Sequence, residues 1–279
     1  MESAQTPTDQ YAVVGYPVEH SRSPMIHGLF ARQTGEKITY ELLPAEPDNF
    51  ERAVREFAAA GGKGLNVTVP HKEAAWKLAN ELGPEAERAR AVNTLSLHST
   101  NRIRGDNTDG IGFLRDLTQN HKINLSGKRV LVLGAGGAAR GILPQMLDAD
   151  LGELVLANRT MDRANRLVEL FEAAEKVSVC SFTALSDHAS FNVVINATSA
   201  SLKGELPPFP ASCLDSSSFC YDLTYSSKQT PFVQWAQDRG AGQAVQGWGM
   251  LIEQAAESFA IWRGIRPDTA PLLQQLATR

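Results

Sequence analysis

The chain has 279 residues, 43% of them hydrophobic and 21% charged, and a formal net charge of −4. That composition describes a globular protein with a sizeable core and room for two domains, and it excludes an intrinsically disordered chain. The acid excess, with no stripe of lysine and arginine, argues against nucleic-acid and membrane-surface binding and for a small-molecule partner.

Residues 1–10 are polar and carry Glu2 and Asp9 where a secretory signal has a basic stretch and an apolar run. Residues 11–14 read as a strand, 25–34 as a helix closed by Gly35, 39–43 as a strand, and 49–60 as a helix stopped by Gly61 and Gly62. Strands at 64–69 and 93–98 follow, and Asp109 stands where it would cap a helix running to about residue 120. A polar connector, 122–128, leads into an apolar strand at 129–133, a Gly-rich turn, a helix over 138–148, a strand at 153–157 and a helix over 162–171. Strands at 177–181 and 193–196, a Pro- and Ser-rich surface loop at 207–218, a strand at 219–223 and a helix over 250–262 complete the pattern. The alternation predicts an α/β protein built on parallel sheets with helices on both faces, divided near Asp109. Cys180, Cys213 and Cys220 form no Cys-x-x-Cys pair and no closed disulfide framework, so a reducing, cytoplasmic setting is expected, with no metal site. No apolar run reaches the roughly 18 residues of a membrane span.

Gly134, Ala135, Gly136, Gly137, Ala138 and Ala139 follow an apolar strand and open a helix, which matches the dinucleotide pattern Gly-x-Gly-x-x-Gly/Ala in its proper context. The glycines permit a tight turn and close approach of a pyrophosphate to backbone N–H groups at the helix start. An NAD site carries an acid about 20 residues further on, where it accepts from the ribose hydroxyls. Here Asn158, Arg159 and Thr160, with Arg163 close behind, stand in its place, so NADP(H) is the expected cofactor. Arginines that merely solvate a helix start are the plainer alternative, although cations there oppose the helix dipole.

Four further segments place polar side chains at the ends of apolar elements: Ser21 to Pro24, Asn66 to Lys72, Ala91 to Thr94, and Gly105 to Gly110. Each alone has a scaffold reading. Ser21 or Ser23 would cap the helix near Met25, Asp109 the next one, Asn93 would bond to its own turn, and Lys72 would be a solvated lysine in a helix's first turn.

Together the segments Ser-Arg-Ser-Pro, Asn-Val-Thr-Val-Pro-His-Lys, Ala-Val-Asn-Thr, Gly-Asp-Asn-Thr-Asp-Gly, Gly-Ala-Gly-Gly-Ala, Asn-Arg-Thr, Asn-Ala-Thr-Ser and Gln-Gly-Trp-Gly-Met closely resemble the shikimate dehydrogenase family, from Val14 to about Trp262. The resemblance implies an N-terminal α/β substrate domain plus a Rossmann-like dinucleotide-binding domain with a cleft between them. It also implies reversible reduction of 3-dehydroshikimate to shikimate by NADPH. On this likeness residues 1–109, completed by 247–279, form the substrate domain and 110–246 the NADP domain. Lys72 and Asp109 resemble the catalytic pair. Ser21 and Ser23 resemble the hydroxyls that hold the substrate carboxylate, Thr68, Asn93, Asp109 and Gln254 its other polar contacts, and Tyr225 a group closing over it. Gly134 to Ala138, Asn158, Arg159, Thr160 and Arg163 look like the cofactor segments, and Leu223 and Gly247 like contacts near the nicotinamide. The chain departs from the pattern in two places: Gly83 and Pro84 stand where some members carry an acid, and Trp248 replaces a smaller aliphatic residue. The implied partner is a small molecule, shikimate or 3-dehydroshikimate, bound by a monomer or homodimer. Two other readings stay open: a quinate/shikimate dehydrogenase of broader specificity, and a noncatalytic NADPH-binding sensor.

Overall fold

Strand β1 (Asp9–Gly15) buries its last five residues, Tyr11 through Gly15, at the heart of the first sheet. It belongs to a computed structural model that describes residues 8–277; the polar stretch read above lies, through Pro7, outside them. The elements that follow are α1 (Ser23–Thr34), β2 (Ile38–Pro44), α2 (Phe50–Ala59), β3 (Gly64–Val67), α3 (Lys72–Leu78) and β4 (Glu81–Leu82). Next come α4 (Pro84–Ala89), β5 (Thr94–Ser99), β6 (Arg102–Asp106) and α5 (Asp109–Arg115).

The first sheet has the order β2-β1-β3-β5-β6-β4. It corrects the expectation of parallel sheets throughout: β1 runs parallel to β2 and β3, but β3–β5 and β5–β6 are antiparallel. Only Thr100 and Asn101 join β5 to β6, and a link that short can close a hairpin but not a parallel crossover. The register sets Asn66 opposite Thr94 and Thr94 opposite Asp106, so the polar segments at 66–72, 91–94 and 105–110 converge at one end of the sheet.

Helix α1 starts at Ser23, two residues before the expected Met25, because Pro24 with its fixed φ suits the first turn. Its N-cap is Arg22 and no side chain caps it, so neither serine plays that part. Strand β3 stops at Val67 because the chain turns at Thr68, whose carbonyl accepts from the His71 N–H at 2.9 Å. Beyond α5 a π-helical turn, Asp116–Asn120, carries the helical run to its expected end.

The second sheet comprises β7 (Arg129–Leu133), β8 (Glu153–Ala157), β9 (Ser178–Cys180), β10 (Val193–Asn196), β11 (Phe219–Asp222) and β12 (Gln243–Gln246). Its helices are α6 (Gly137–Asp148), α7 (Met161–Leu170) and α8 (Pro231–Asp238), followed by α9 (Trp248–Arg263) and α10 (Ala270–Ala277). The strand order is β12-β11-β10-β7-β8-β9 and every pair is parallel. This is the doubly wound order in which the winding reverses between β7 and β10, opening a crevice at the carboxyl ends of those strands. Val130, Val132, Leu154 and Ile195 pack one face; Leu131, Leu133, Val155 and Val194 pack the other. Burial on both faces explains why these strands are continuous apolar runs rather than alternating ones.

The chain divides into two compact units, one of the described residues up to Gly112 and from Ile252 onward, the other Phe113–Leu251. The divisions fall inside α5 and α9. Helix α9 begins two residues earlier and ends one later than the periodicity indicates.

Candidate functional site

In the first unit Lys72 opens α3 directly after His71, whose Nε2 donates to the Ala45 carbonyl at 2.8 Å and whose ring stacks on Phe50 at 4.6 Å. Burial pushes the His71 imidazole below its ordinary range, against the pull of that carbonyl. The Lys72 carbonyl accepts from the Val92 N–H at 2.9 Å, which ties the lysine to the 91–94 segment. Its ammonium donates to Asp109 Oδ2 at 2.5 Å. The side chains are 21% and 7% exposed, so Lys72 is not the solvated lysine of the scaffold reading.

Asp109 is the first residue of α5, and its carboxylate faces Lys72 and Asn93 instead of capping its own helix. Its backbone N–H donates to Asn107 Oδ1 at 3.0 Å, and Asn107 Nδ2 donates to the Ala91 carbonyl at 2.8 Å. Asn93 likewise does not serve its own turn alone. Its Oδ1 accepts from the Thr108 backbone N–H at 2.9 Å, a donor that cannot turn round, so the amide nitrogen must face the other way. Nδ2 thus reaches Asp109 Oδ1 at 2.9 Å, Thr108 Oγ1 at 2.9 Å and Gln254 Oε1 at 3.1 Å.

Lys72, Asn93, Asp109 and Gln254 therefore form one hydrogen-bonded cluster. Ser21 donates to Ser23 Oγ at 3.2 Å and accepts from the Ser23 N–H at 3.3 Å. Burial lifts the Tyr40 phenol well above its ordinary value. Tyr40 donates to Asn66 Oδ1 at 2.6 Å, and Asn66 Nδ2 donates to the Asn93 carbonyl at 3.3 Å. Thr68 lies two residues beyond Asn66 with its N–H on the Val14 carbonyl at 2.9 Å.

Sequence reading left Tyr40, Thr94, Thr108 and Ser258 without a role. Ser258, wholly buried, contacts Thr94 Oγ1 at 2.7 Å, Asn66 Nδ2 at 3.0 Å and Thr108 Oγ1 at 3.2 Å, and it joins α9 to the strand ends. The available signal was a serine within an apolar helix, since a polar group at a core position needs partners. The departure at Gly83 has a steric cause: a side chain there would run into the Asp106 carboxylate, which takes a forked ion pair from Arg104 at 3.0 and 3.1 Å.

In the second unit β7 runs into Gly134, whose φ of +100° suits glycine and whose N–H donates to the Ala157 carbonyl at 2.7 Å. Gly136 is the N-cap of α6 and supplies no side-chain acceptor, which leaves the first-turn N–H groups able to take an anion. A Cβ on Gly137 would meet nothing within 4 Å, and one on Gly136 would come no nearer than 3.8 Å to the Arg163 guanidinium. Gly136, Gly137 and Ala138 are thus an open backbone face beside an arginine, and the turn fits a pyrophosphate. Asn158 bridges the two turns: Oδ1 accepts from the Ala135 N–H at 3.3 Å and Nδ2 donates to the Thr160 carbonyl at 2.8 Å. Arg159, Thr160 and Arg163 are exposed at the start of α7, where Asp162 is an acid of the first turn. Leu223 and Gly247 meet beyond β11 and β12, a Cβ on Gly247 lying 2.6 Å from the Leu223 carbonyl oxygen. Tyr225 belongs to this unit and packs against Trp248 with ring centroids 4.6 Å apart.

A doubly wound sheet with an anion-ready turn and arginines where an acid would select NAD defines an NADP-dependent oxidoreductase. Residues 13–95 match the family described as shikimate dehydrogenase substrate binding domain, 116–203 shikimate / quinate 5-dehydrogenase, and 247–277 shikimate 5'-dehydrogenase C-terminal domain. The NADP(+) shikimate dehydrogenase of Alkalilimnicola ehrlichii is 56% identical over 96% of this chain and 98% of its own. The crystal structure of an Ael1 enzyme from Pseudomonas putida superposes with a TM-score of 0.88 at 44% identity, covering 96% of this chain and 98% of that one. Shikimate 5-dehydrogenase from Thermus thermophilus, solved with NADP(H) and shikimate, gives 0.81 at 31% identity over 94% and 96%. The chain belongs to the shikimate dehydrogenase family. Among the described residues no helix is long and apolar enough to cross a membrane.

Proposed function

We propose that the protein interconverts 3-dehydroshikimate and shikimate with NADP(H), in the route to aromatic amino acids, and that Lys72 carries the proton. The observation that carries the assignment is the Lys72–Asp109 pair at 2.5 Å, backed by Asn93, in a chain 56% identical to an NADP-dependent shikimate dehydrogenase.

Bound NADP(H) supplies or takes the hydride. Charge then changes on the substrate oxygen, and a positioned proton carrier beside it typically contributes about 10²- to 10⁴-fold. Lys72 donates from its ammonium during reduction and accepts the hydroxyl proton as an amine during oxidation. Asp109, itself aimed by Asn93, orients the lysine and the substrate hydroxyl. Ser21 and Ser23 hold the carboxylate through adjacent hydroxyls, and Thr68, Asn93 and Gln254 hold the ring hydroxyls. Tyr225 closes over the substrate. Gly134 to Ala138 cradle the pyrophosphate, Asn158, Arg159, Thr160 and Arg163 take the 2′-phosphate end, and Leu223 and Gly247 line the nicotinamide end. Residues 1–109 with 247–279 serve the substrate and 110–246 the cofactor. Cys180, Cys213 and Cys220 are free thiols, which supports a reducing cytoplasm as the compartment.

The test is NADP reduction followed by absorbance with shikimate, with quinate and with neither, NAD as the alternative cofactor and Lys72→Ala as control. Shikimate-dependent NADP reduction that disappears in the variant is expected. No turnover despite tight NADPH binding would point to the sensor instead, and comparable rates on quinate to the broader dehydrogenase.

A further inference from the structure

Asp222, the last residue of β11, is a wholly buried acid outside the cluster around Lys72. Its Oδ2 accepts from the hydroxyls of Ser201 at 2.6 Å and Thr230 at 2.7 Å. Oδ1 accepts from Asn196 Nδ2 at 3.1 Å and the Thr224 backbone N–H at 3.0 Å. These donors come from the end of β10, the loop after it, the loop after β11, and the N-cap of α8. Burial pushes the Asp222 carboxyl above its ordinary range, and the four hydrogen bonds pull the other way. A buried carboxylate is costly to keep and is weak evidence of a purely stabilising purpose.

Its location supplies another purpose. Asn196 Oδ1 also accepts from the Thr198 N–H at 3.1 Å and hydroxyl at 2.7 Å, so the loop after β10 is fixed from both ends of that side chain. This loop leans on the Gly-rich turn: a Cβ on Gly134 would fall 2.9 Å from Thr198 Cγ2 and 3.1 Å from the Ala197 carbonyl. On the other side Leu223 follows Asp222 directly, takes its N–H to the Asn196 carbonyl at 3.0 Å, and crowds Gly247. The loop after β10, one wall of the crevice where the winding reverses, is thus tied through one carboxylate to the loop after β11.

We propose that Asp222 is a positioning residue of the cofactor site: it ties the loop that abuts the Gly-rich turn to the loop that begins at Leu223, and so holds both at the spacing the dinucleotide needs. The proposal rests on the cofactor assignment made above.

Ser201→Ala, Asp222→Ala and Asp222→Asn test it. Asparagine keeps an oxygen for the two fixed N–H donors, and its NH₂ can donate to the Ser201 and Thr230 hydroxyls, which turn to accept. NADP binding is titrated directly by fluorescence, and KM is measured for NADP and shikimate separately. Ser201→Ala is expected to weaken NADP binding about 3- to 10-fold, and Asp222→Ala more than about 10-fold, with the KM for shikimate within about two-fold. Asp222→Asn is expected to restore binding to within about three-fold of the unsubstituted protein. Unchanged NADP binding in Ser201→Ala, or equal losses for NADP and shikimate, overturns the proposal. Ser201 is half-buried, and its variant decides the matter even where Asp222→Ala fails to fold. An unsubstituted protein that binds no NADP would instead overturn the cofactor assignment, and the proposal with it.

Discussion

Asn93 presents its amide nitrogen to Asp109 Oδ1 at 2.9 Å because the Thr108 N–H occupies the amide oxygen. One backbone donor thereby fixes which face of a neutral side chain meets the acid that holds Lys72. Asn93→Ala removes this aim and leaves the buried Thr108 N–H without its acceptor. Stability should fall by about 1–3 kcal/mol in urea melts, with kcat/KM for shikimate reduced at least about 10-fold.

Lys72→Ala deletes the proposed proton carrier but none of the hydrogen bonds within the Asn93, Thr108 and Gln254 group. We expect kcat to drop by about 10²- to 10⁴-fold with shikimate binding, read by calorimetry, changed much less. Turnover within a few-fold of the unsubstituted enzyme would remove Lys72 from that role.

Arg159 and Arg163 stand exposed at the start of α7, where an anion relieves their conflict with the helix dipole. Replacing either with alanine should raise the KM for NADP about 10- to 100-fold while leaving NAD almost unaffected. The effect should shrink as salt rises, since exposed charges are screened. Equal losses with both cofactors would place the arginines outside the 2′-phosphate site.

His27 is wholly buried and stacks on Tyr40 with centroids 4.2 Å apart. Burial lowers its pKa to about 3. A folded-state value below the unfolded one means that protons bind the unfolded chain more readily. Stability from this residue is present above about pH 6.5 and is lost as pH falls towards about 3, at up to about 1.4 kcal/mol per pH unit. His27→Phe keeps the stack without the titrating ring. Compared with the unsubstituted protein in denaturant melts, it should show a shallower loss of stability across that window; parallel curves would refute the assignment.

The doubly wound sheet was the most legible part of the chain, since strands buried on both faces write themselves as apolar runs such as Val130 to Leu133 and Val193 to Ile195. The first sheet was read less well. β4 has two residues, and β6 alternates Arg102, Ile103 and Arg104, so neither produces a strong apolar signal. Helices α3 and α4, seven and six residues long, are too short to establish a helical period.

What the sequence by itself determined was the chemistry on offer: a Gly-rich turn between strand and helix, arginines in place of an acid, and polar segments whose order marks the family. Local backbone preference and residue type suffice for that, because each motif works within a few residues. Only the tertiary structure decided that Asp109 faces Lys72 instead of capping α5, that Asn93 serves Asp109, and that Ser258 and Asp222 anchor distant segments. Those choices depend on partners such as Ser258, 164 residues from Thr94, and a hydrogen bond over that separation leaves no local pattern to read.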